Sequence, residues 1–226
     1  MVRVKICGIM DIETARAVVS CGADMLGFHV ELAHSRNPLT IEKTAEIISQ
    51  LPPTCSAVLV TSVTDPEKVA LLVRKTGVTA VQLHGDMEEM SKLKSELPHI
   101  KLYKVVNVFD ESAVQEAKRY EGAVDALVLD SAIKETGQRG GTGKIHDWNI
   151  SRKIVDLISL PVILAGGLNP DNVAEAIRKV SPYAVDVNSG VSNSDGTKNL
   201  EKVKLFVERA KEDQTIFNIS GGGIWV

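Results

Sequence analysis

Two side chains able to move protons stand at the ends of short aliphatic runs. Cys7, beside Gly8, follows Val2 to Ile6, and Asp130 follows Ala126 to Leu129. A cysteine in such a place can be a base or nucleophile, and it can equally be a small apolar packing residue. A carboxyl group closing a buried run is costly without a role or a partner, and held there it can give a proton to a leaving oxygen. Arg36, on the loop after the second run, offers a two-pronged contact for a substrate carboxylate or simply faces water. His84, before Gly85, fits a structural hydrogen bond or a contact to substrate.

Glycines mark a second kind of site. Gly166-Gly167 and Ser189-Gly190 each follow an aliphatic run, where backbone N–H groups free of a Cβ can converge on phosphate oxygens. A third loop, 137–144, has four glycines in seven positions, among them Gly141 and Gly143, and can close over the same group. Any one such glycine can be turn punctuation only. Three loops of this kind together point to a phosphorylated small molecule.

The elements that would position these residues are legible from periodicity. Eight runs rich in Val, Ile and Leu recur: Val2 to Ile6, Met25 to His29, Ala57 to Val60, Ala80 to Leu83, Leu102 to Val106, Ala126 to Leu129, Val162 to Ala165 and Ala184 to Val187. They show little polar alternation, as in strands of a parallel sheet buried on both faces. Between them lie amphipathic segments with helical spacing, such as Ile41 to Leu51, Pro66 to Lys75, Glu111 to Tyr120 and Leu200 to Ala210. Asp65-Pro66 and Asn169-Pro170 both read as an N-cap followed by proline at the first helical position. Eight strand–helix units predict a single (β/α)8 TIM barrel over residues 1–213, with 214–226 as a tail. An open doubly wound sheet is the alternative, weakened because no GxGxxG follows the first run. In a barrel the candidate residues would share the C-terminal face of the strands.

Composition narrows the function further. The chain has 226 residues, 44% hydrophobic and 24% charged, with a formal charge of −3 and no basic block. Nucleic acid is not an expected partner. No apolar run approaches the roughly 18 residues that cross a bilayer, and the N-terminus lacks a signal-peptide pattern, so a cytoplasmic protein with no membrane partner is expected. Three cysteines without CxxC spacing and five scattered histidines predict neither disulfides nor a metal site.

One series of segments runs Val4-Lys5-Ile6-Cys7-Gly8-Ile9, Gly22-Ala23-Asp24 with Gly27-Phe28, Val81-Gln82-Leu83-His84-Gly85, and Leu127-Val128-Leu129-Asp130-Ser131. It continues through Gly140 to Lys144, Ala165 to Pro170 and Ala184 to Val191. In this order the segments resemble the phosphoribosylanthranilate isomerases of tryptophan biosynthesis. The resemblance implies an Amadori rearrangement with Asp130 as general acid and Cys7 as general base, and no cofactor. It further implies Arg36 on the anthranilate carboxylate, Asp186 near the substrate amine, and the glycine loops on the phosphate. The family contains monomers and dimers, so a homodimer is a possible state.

The chain departs from the family pattern in three places. The loop His34-Ser35-Arg36-Asn37-Pro38-Leu39-Thr40 is one residue longer after the arginine, Ser192 stands for a glutamate, and His146 for a phenylalanine. A paralogous sugar-phosphate isomerase or a non-catalytic phosphosugar-binding barrel are the alternative readings.

Overall fold

A computed structural model describes residues 1–133, 138–139 and 145–220. The strands are β1 (Arg3–Cys7), β2 (Met25–His29), β3 (Ser56–Thr61), β4 (Ala80–Leu83), β5 (Lys101–Val108), β6 (Ala126–Ile133), β7 (Gln138–Arg139), β8 (Val162–Leu164) and β9 (Ala184–Val187). The order β5-β4-β3-β2-β1-β9-β8-β6 is closed by pairing of β5 with β6, and all eight of these strands run parallel. The short β7 adds antiparallel to β6 outside the ring. Helices α1 (Ile12–Ser20), α2 (Ile41–Ile48), α3 (Pro66–Thr76), α4 (Met90–Glu96), α5 (Ser112–Lys118), α6 (Trp148–Leu157), α7 (Val173–Val180) and α8 (Leu200–Ser220) alternate with the barrel strands. This is the (β/α)8 barrel that the eight runs predict.

Local chemistry sets the helix ends. Asp65 caps α3 by accepting from the Glu67 N–H, with Pro66 in the first turn, and Gly77 ends it in the left-handed region at φ 74°. Asn169-Pro170 behaves differently from the expected cap. The Asn169 side chain accepts from the Asp171 N–H, and the Asn172 side chain ties Gly167 O to the Asn169 N–H. These bonds spend residues 169–172 on a turn, so α7 starts only at Val173. Helix α8 continues through Ser220, into the segment read as tail, and residues 221–226 lie outside the described residues.

Two apolar layers follow from strand alternation. Outward-facing residues such as Val4, Ile6, Leu26, Phe28, Leu127 and Leu129 pack under the helices. The axis is filled by Met25, Val58, Val60, Ala80, Val105, Ala126, Val128, Ile163 and Ala184. The inward positions nearer the C-terminal strand ends are polar instead: Lys5, His29, Gln82, Asn107, Asp130 and Asp186 are all buried. Strand β6 also runs past the expected end, because Asn107↔Asp130 and Val108↔Ser131 stay paired with β5. Asp130 is therefore a strand residue in phase with the inward-facing Ala126 and Val128.

Phe206, fully buried on α8, is among the largest side chains of the outer layer. Phe206→Ala should lower the unfolding free energy by about 3–5 kcal/mol in urea titration. A loss below about 1 kcal/mol would mean that α8 is not packed on the barrel as described.

Candidate active site

The polar end of the barrel is organised around Lys5. Its Nζ lies 2.7 Å from Asp186 Oδ2, 2.8 Å from Gln82 Oε1 and 3.5 Å from Cys7 Sγ. The ammonium has three protons, and these three acceptors come from β9, β4 and β1. Burial opposes its charge, but Asp186 and Cys7 more than offset that, and the Lys5 pKa is raised. Because Lys5 Nζ fixes the Gln82 amide oxygen, the amide nitrogen turns to His84 Nε2 at 3.1 Å. Gln82 can only donate there, so that nitrogen of His84 is the acceptor and Nδ1 carries the proton.

Cys7 sits at the end of β1 with its thiol nearly out of solvent. Burial pushes its pKa up, Lys5 and Lys198 pull it down, Asp186 pushes it up, and the net direction is upward. The thiol is the resting form. Its sulfur occupies the space left by Gly27 on β2, where a Cβ would come within 2.6 Å of Sγ. On the other side His29 Nε2 lies 3.1 Å from Sγ, and His29 Nδ1 lies 2.8 Å from Ser35 Oγ. Burial, with Lys5, His84 and Lys198, pushes His29 down to about 3, so its ring is neutral near pH 7.

The glycine turns after β8 and β9 meet one another and the end of β6. Gly166, at φ 79°, lies so close to Ser131 that a Cβ would stand 2.6 Å from the Ser131 nitrogen. Gly190, in the short 3-10 turn Ser189–Val191, approaches Leu168 O so closely that a Cβ would sit at 2.0 Å. Glycine is required at both places by close approach, and at Gly166 also by the positive φ. Backbone amides of two adjacent turns are thereby held against the strand that carries Asp130. Asp130 Oδ1 accepts from the Ser131 N–H at 2.7 Å.

The structure thus gathers Cys7, His84 and Asp186 in one bonded network, and joins Asp130, Gly166, Gly167, Ser189 and Gly190 through neighbouring turns. Arg36 is exposed and makes no side-chain bond among the described residues, although its neighbours are anchored: Ser35 to His29 and Asn37 to Gly196 O at 3.2 Å. Gly141 and Gly143 lie outside the described residues. Lys5, His29, Gln82 and Lys198 were not singled out from sequence. The first three carry a signal, since each is a polar residue inside an otherwise aliphatic run at inward spacing. Lys198 has no such pattern. Its Nζ bonds Asn188 Oδ1 at 2.6 Å and Ser192 Oγ at 2.9 Å, and burial pushes it down to about 8.

The profile of the N-(5'-phosphoribosyl)anthranilate isomerase family matches residues 4–209. The chain belongs to this family. N-(5'-phosphoribosyl)anthranilate isomerase 2 of Methanosarcina mazei is 44% identical over 93% of this chain and 95% of its own length. The enzyme of Methanocella arvoryzae is 42% identical over 93% and 99%. The crystal structure of the Thermotoga maritima isomerase superimposes with a TM-score of 0.83 at 36% identity, covering 94% of this chain and all of that one. An isomerase structure in complex with reduced 1-(o-carboxyphenylamino)-1-deoxyribulose 5-phosphate gives a TM-score of 0.80 at 34% identity, with the same coverage.

Two predictions arise from the electrostatics. Lys5→Met leaves Asp186 buried without its cation, and should lower the unfolding free energy by about 3–5 kcal/mol in urea at neutral pH. The raised Lys5 pKa means that this pair's contribution is complete below the unfolded value of roughly 10.4 and fades only as pH rises through the folded value. Burial also lowers His84 to about 4 and His146 to about 4, alongside His29 at about 3. Unfolded histidines take protons below about pH 6.5 while these stay neutral, so stability should fall by about 1.4 kcal/mol per histidine for each pH unit from there towards pH 4. Urea midpoints measured across pH 4.5–7.5 test this, and a flat profile would contradict the buried, neutral assignments.

Proposed function

We propose that this chain catalyses the Amadori rearrangement of N-(5-phosphoribosyl)anthranilate to 1-(2-carboxyphenylamino)-1-deoxyribulose 5-phosphate in tryptophan biosynthesis. The observation that carries the reading is the pairing of a buried thiol with a buried carboxyl group at the C-terminal end of one barrel, beside two glycine turns in contact. Asp130 gives its proton to the furanose ring oxygen as the C1–O bond breaks, and the nitrogen lone pair forms the C1=N bond of a Schiff base. Cys7, as thiolate, takes the C2 proton, and the electron pair of that C–H bond moves through C1 to nitrogen. The resulting enolamine becomes the ketone when the C2 hydroxyl gives its proton to Asp130 and C1 takes one from Cys7, which returns both groups to their starting forms. Distinct acid and base groups are needed because the steps require opposite proton transfers on one sugar.

The remaining residues bind. Asp186 Oδ1 is buried without a hydrogen-bond partner while Oδ2 holds Lys5, so one oxygen is left for the substrate nitrogen. The turns Gly166-Gly167 and Ser189-Gly190, with Gly141 and Gly143, take the phosphate, and His84 lines the sugar. Arg36, on its longer loop, takes the anthranilate carboxylate; its exposure suits a residue that closes on substrate. No helix among the described residues is long and apolar enough to cross a membrane, and the cytoplasm is the compartment this reading assigns. A second copy is the partner to test for by sizing, since the Thermotoga maritima enzyme is described as dimeric.

Loss of anthranilate-type fluorescence, with phosphoribosylanthranilate generated in the cuvette, measures the reaction. The parent should turn over, and Cys7→Ala and Asp130→Ala should each lower kcat by about 100- to 10,000-fold while remaining folded. Folded parent protein without turnover would sink the isomerase reading.

A further inference from the structure

The proposed mechanism takes the C2 proton with a thiolate, but the thiol is the resting form of Cys7. The thiol proton must therefore leave Sγ before turnover begins. Lys5 cannot accept it, because it is an ammonium already bonded to Asp186 and Gln82. The only uncharged nitrogen bonded to Sγ among the described residues is His29 Nε2, at 3.1 Å. Beyond the ring, His29 Nδ1 meets Ser35 Oγ at 2.8 Å, and Ser35, unlike His29 and Cys7, is partly exposed. The Asn37 N–H donates to the same hydroxyl oxygen at 3.0 Å, which fixes Ser35 in place and leaves its O–H proton to point elsewhere.

We propose that His29 is a positioning residue that, with Ser35, carries the Cys7 proton to solvent and so forms the thiolate that turnover needs. The S–H bond breaks with its electron pair left on sulfur, and the proton joins His29 Nε2. The proton on Nδ1 passes to Ser35 Oγ, whose own hydroxyl proton leaves to water. His29 ends as the other neutral tautomer, its Nε2–H now donating to the thiolate. A concerted path is required because burial among Lys5, His84 and Lys198 disfavours an imidazolium at this position. The groups facing the pair are Lys5 from β1, Asp186 from β9, His84 just after β4 and Lys198 from the segment before α8. Both lysines favour a thiolate and Asp186 opposes it. None of them links sulfur to solvent by hydrogen bonds as His29 and Ser35 do.

This inference rests on the isomerase reading for its purpose, but its geometry can be tested without turnover. Iodoacetamide alkylation of Cys7, followed by peptide mass analysis across pH 6–10, reports the thiolate independently of Cys21 and Cys55. In His29→Val the alkylation curve should move up by about one pH unit. With substrate, kcat should fall about 10- to 100-fold at unchanged KM. Ser35→Ala keeps the ring against sulfur and should lower kcat with a smaller shift of the alkylation curve. His29→Gln can hydrogen-bond sulfur but has no second ring nitrogen, so it should not restore kcat. Superimposable alkylation curves for folded parent and His29→Val would overturn the proposal, as would full kcat in His29→Gln. A shifted curve in a protein whose parent shows no turnover would support the proton path and remove only the isomerase reading.

Discussion

The buried ion pair between Lys5 and Asp186 is the constraint on which the polar half of the barrel depends. An ammonium removed from water is tolerable only if its protons are all taken up, and here Asp186, Gln82 and Cys7 take them. Each acceptor is then no longer free to turn. Asp186 spends one oxygen on Lys5 and keeps the other unpartnered, Gln82 is locked with its nitrogen towards His84, and Cys7 is held beside a positive charge. One charge thereby sets the orientation of three groups on three strands. An arrangement of this kind is fixed before any ligand arrives.

The same barrel could not be polar throughout. Its lower axis is filled by Met25, Val58, Ala80, Val105, Ala126 and their neighbours, and that apolar packing closes the ring. Polar residues enter only near the C-terminal strand ends, where turns supply backbone partners. Gly27 shows how closely the two regimes abut: the glycine that lets β1 and β2 approach is also the space into which the Cys7 sulfur fits. At Gly166 and Gly190 the missing Cβ serves contact between turns, so the loops after β8 and β9 form one surface with the end of β6.

Most of the architecture was legible because burial on both faces leaves a strong trace. Met25–His29, Ala80–Leu83 and Ala184–Val187 form strands over the full length of their aliphatic runs. The ends that differ from the sequence pattern are set either by partners distant in sequence or by side-chain bonds within a turn. Strand β6 runs on to Ile133 because β5 and β7 pair with it, and α7 starts late because Asn169 and Asn172 prefer side-chain bonds within a turn. Cys7 and Asp130 were visible as chemistry-bearing residues at run ends. Lys5 and His29, inside aliphatic runs, read as strand residues, and their value lies in contacts with residues far along the chain. No local pattern announces that Lys198 reaches Asn188, since that bond depends on how the last loop folds back.

The protonation pattern explains why proton traffic, rather than fixed charge, is the delicate feature of this site. Burial holds His29 and His84 neutral and Cys7 as a thiol, while Lys5 stays charged because Asp186 is beside it. The resting site therefore carries fixed cations next to a neutral thiol. Ionising Cys7 adds an anion that burial and Asp186 oppose and that Lys5 and Lys198 favour. What a nearly buried thiol lacks is a ready exit for its proton. A neutral imidazole between the thiol and a partly exposed hydroxyl supplies that exit without placing a second cation in the core.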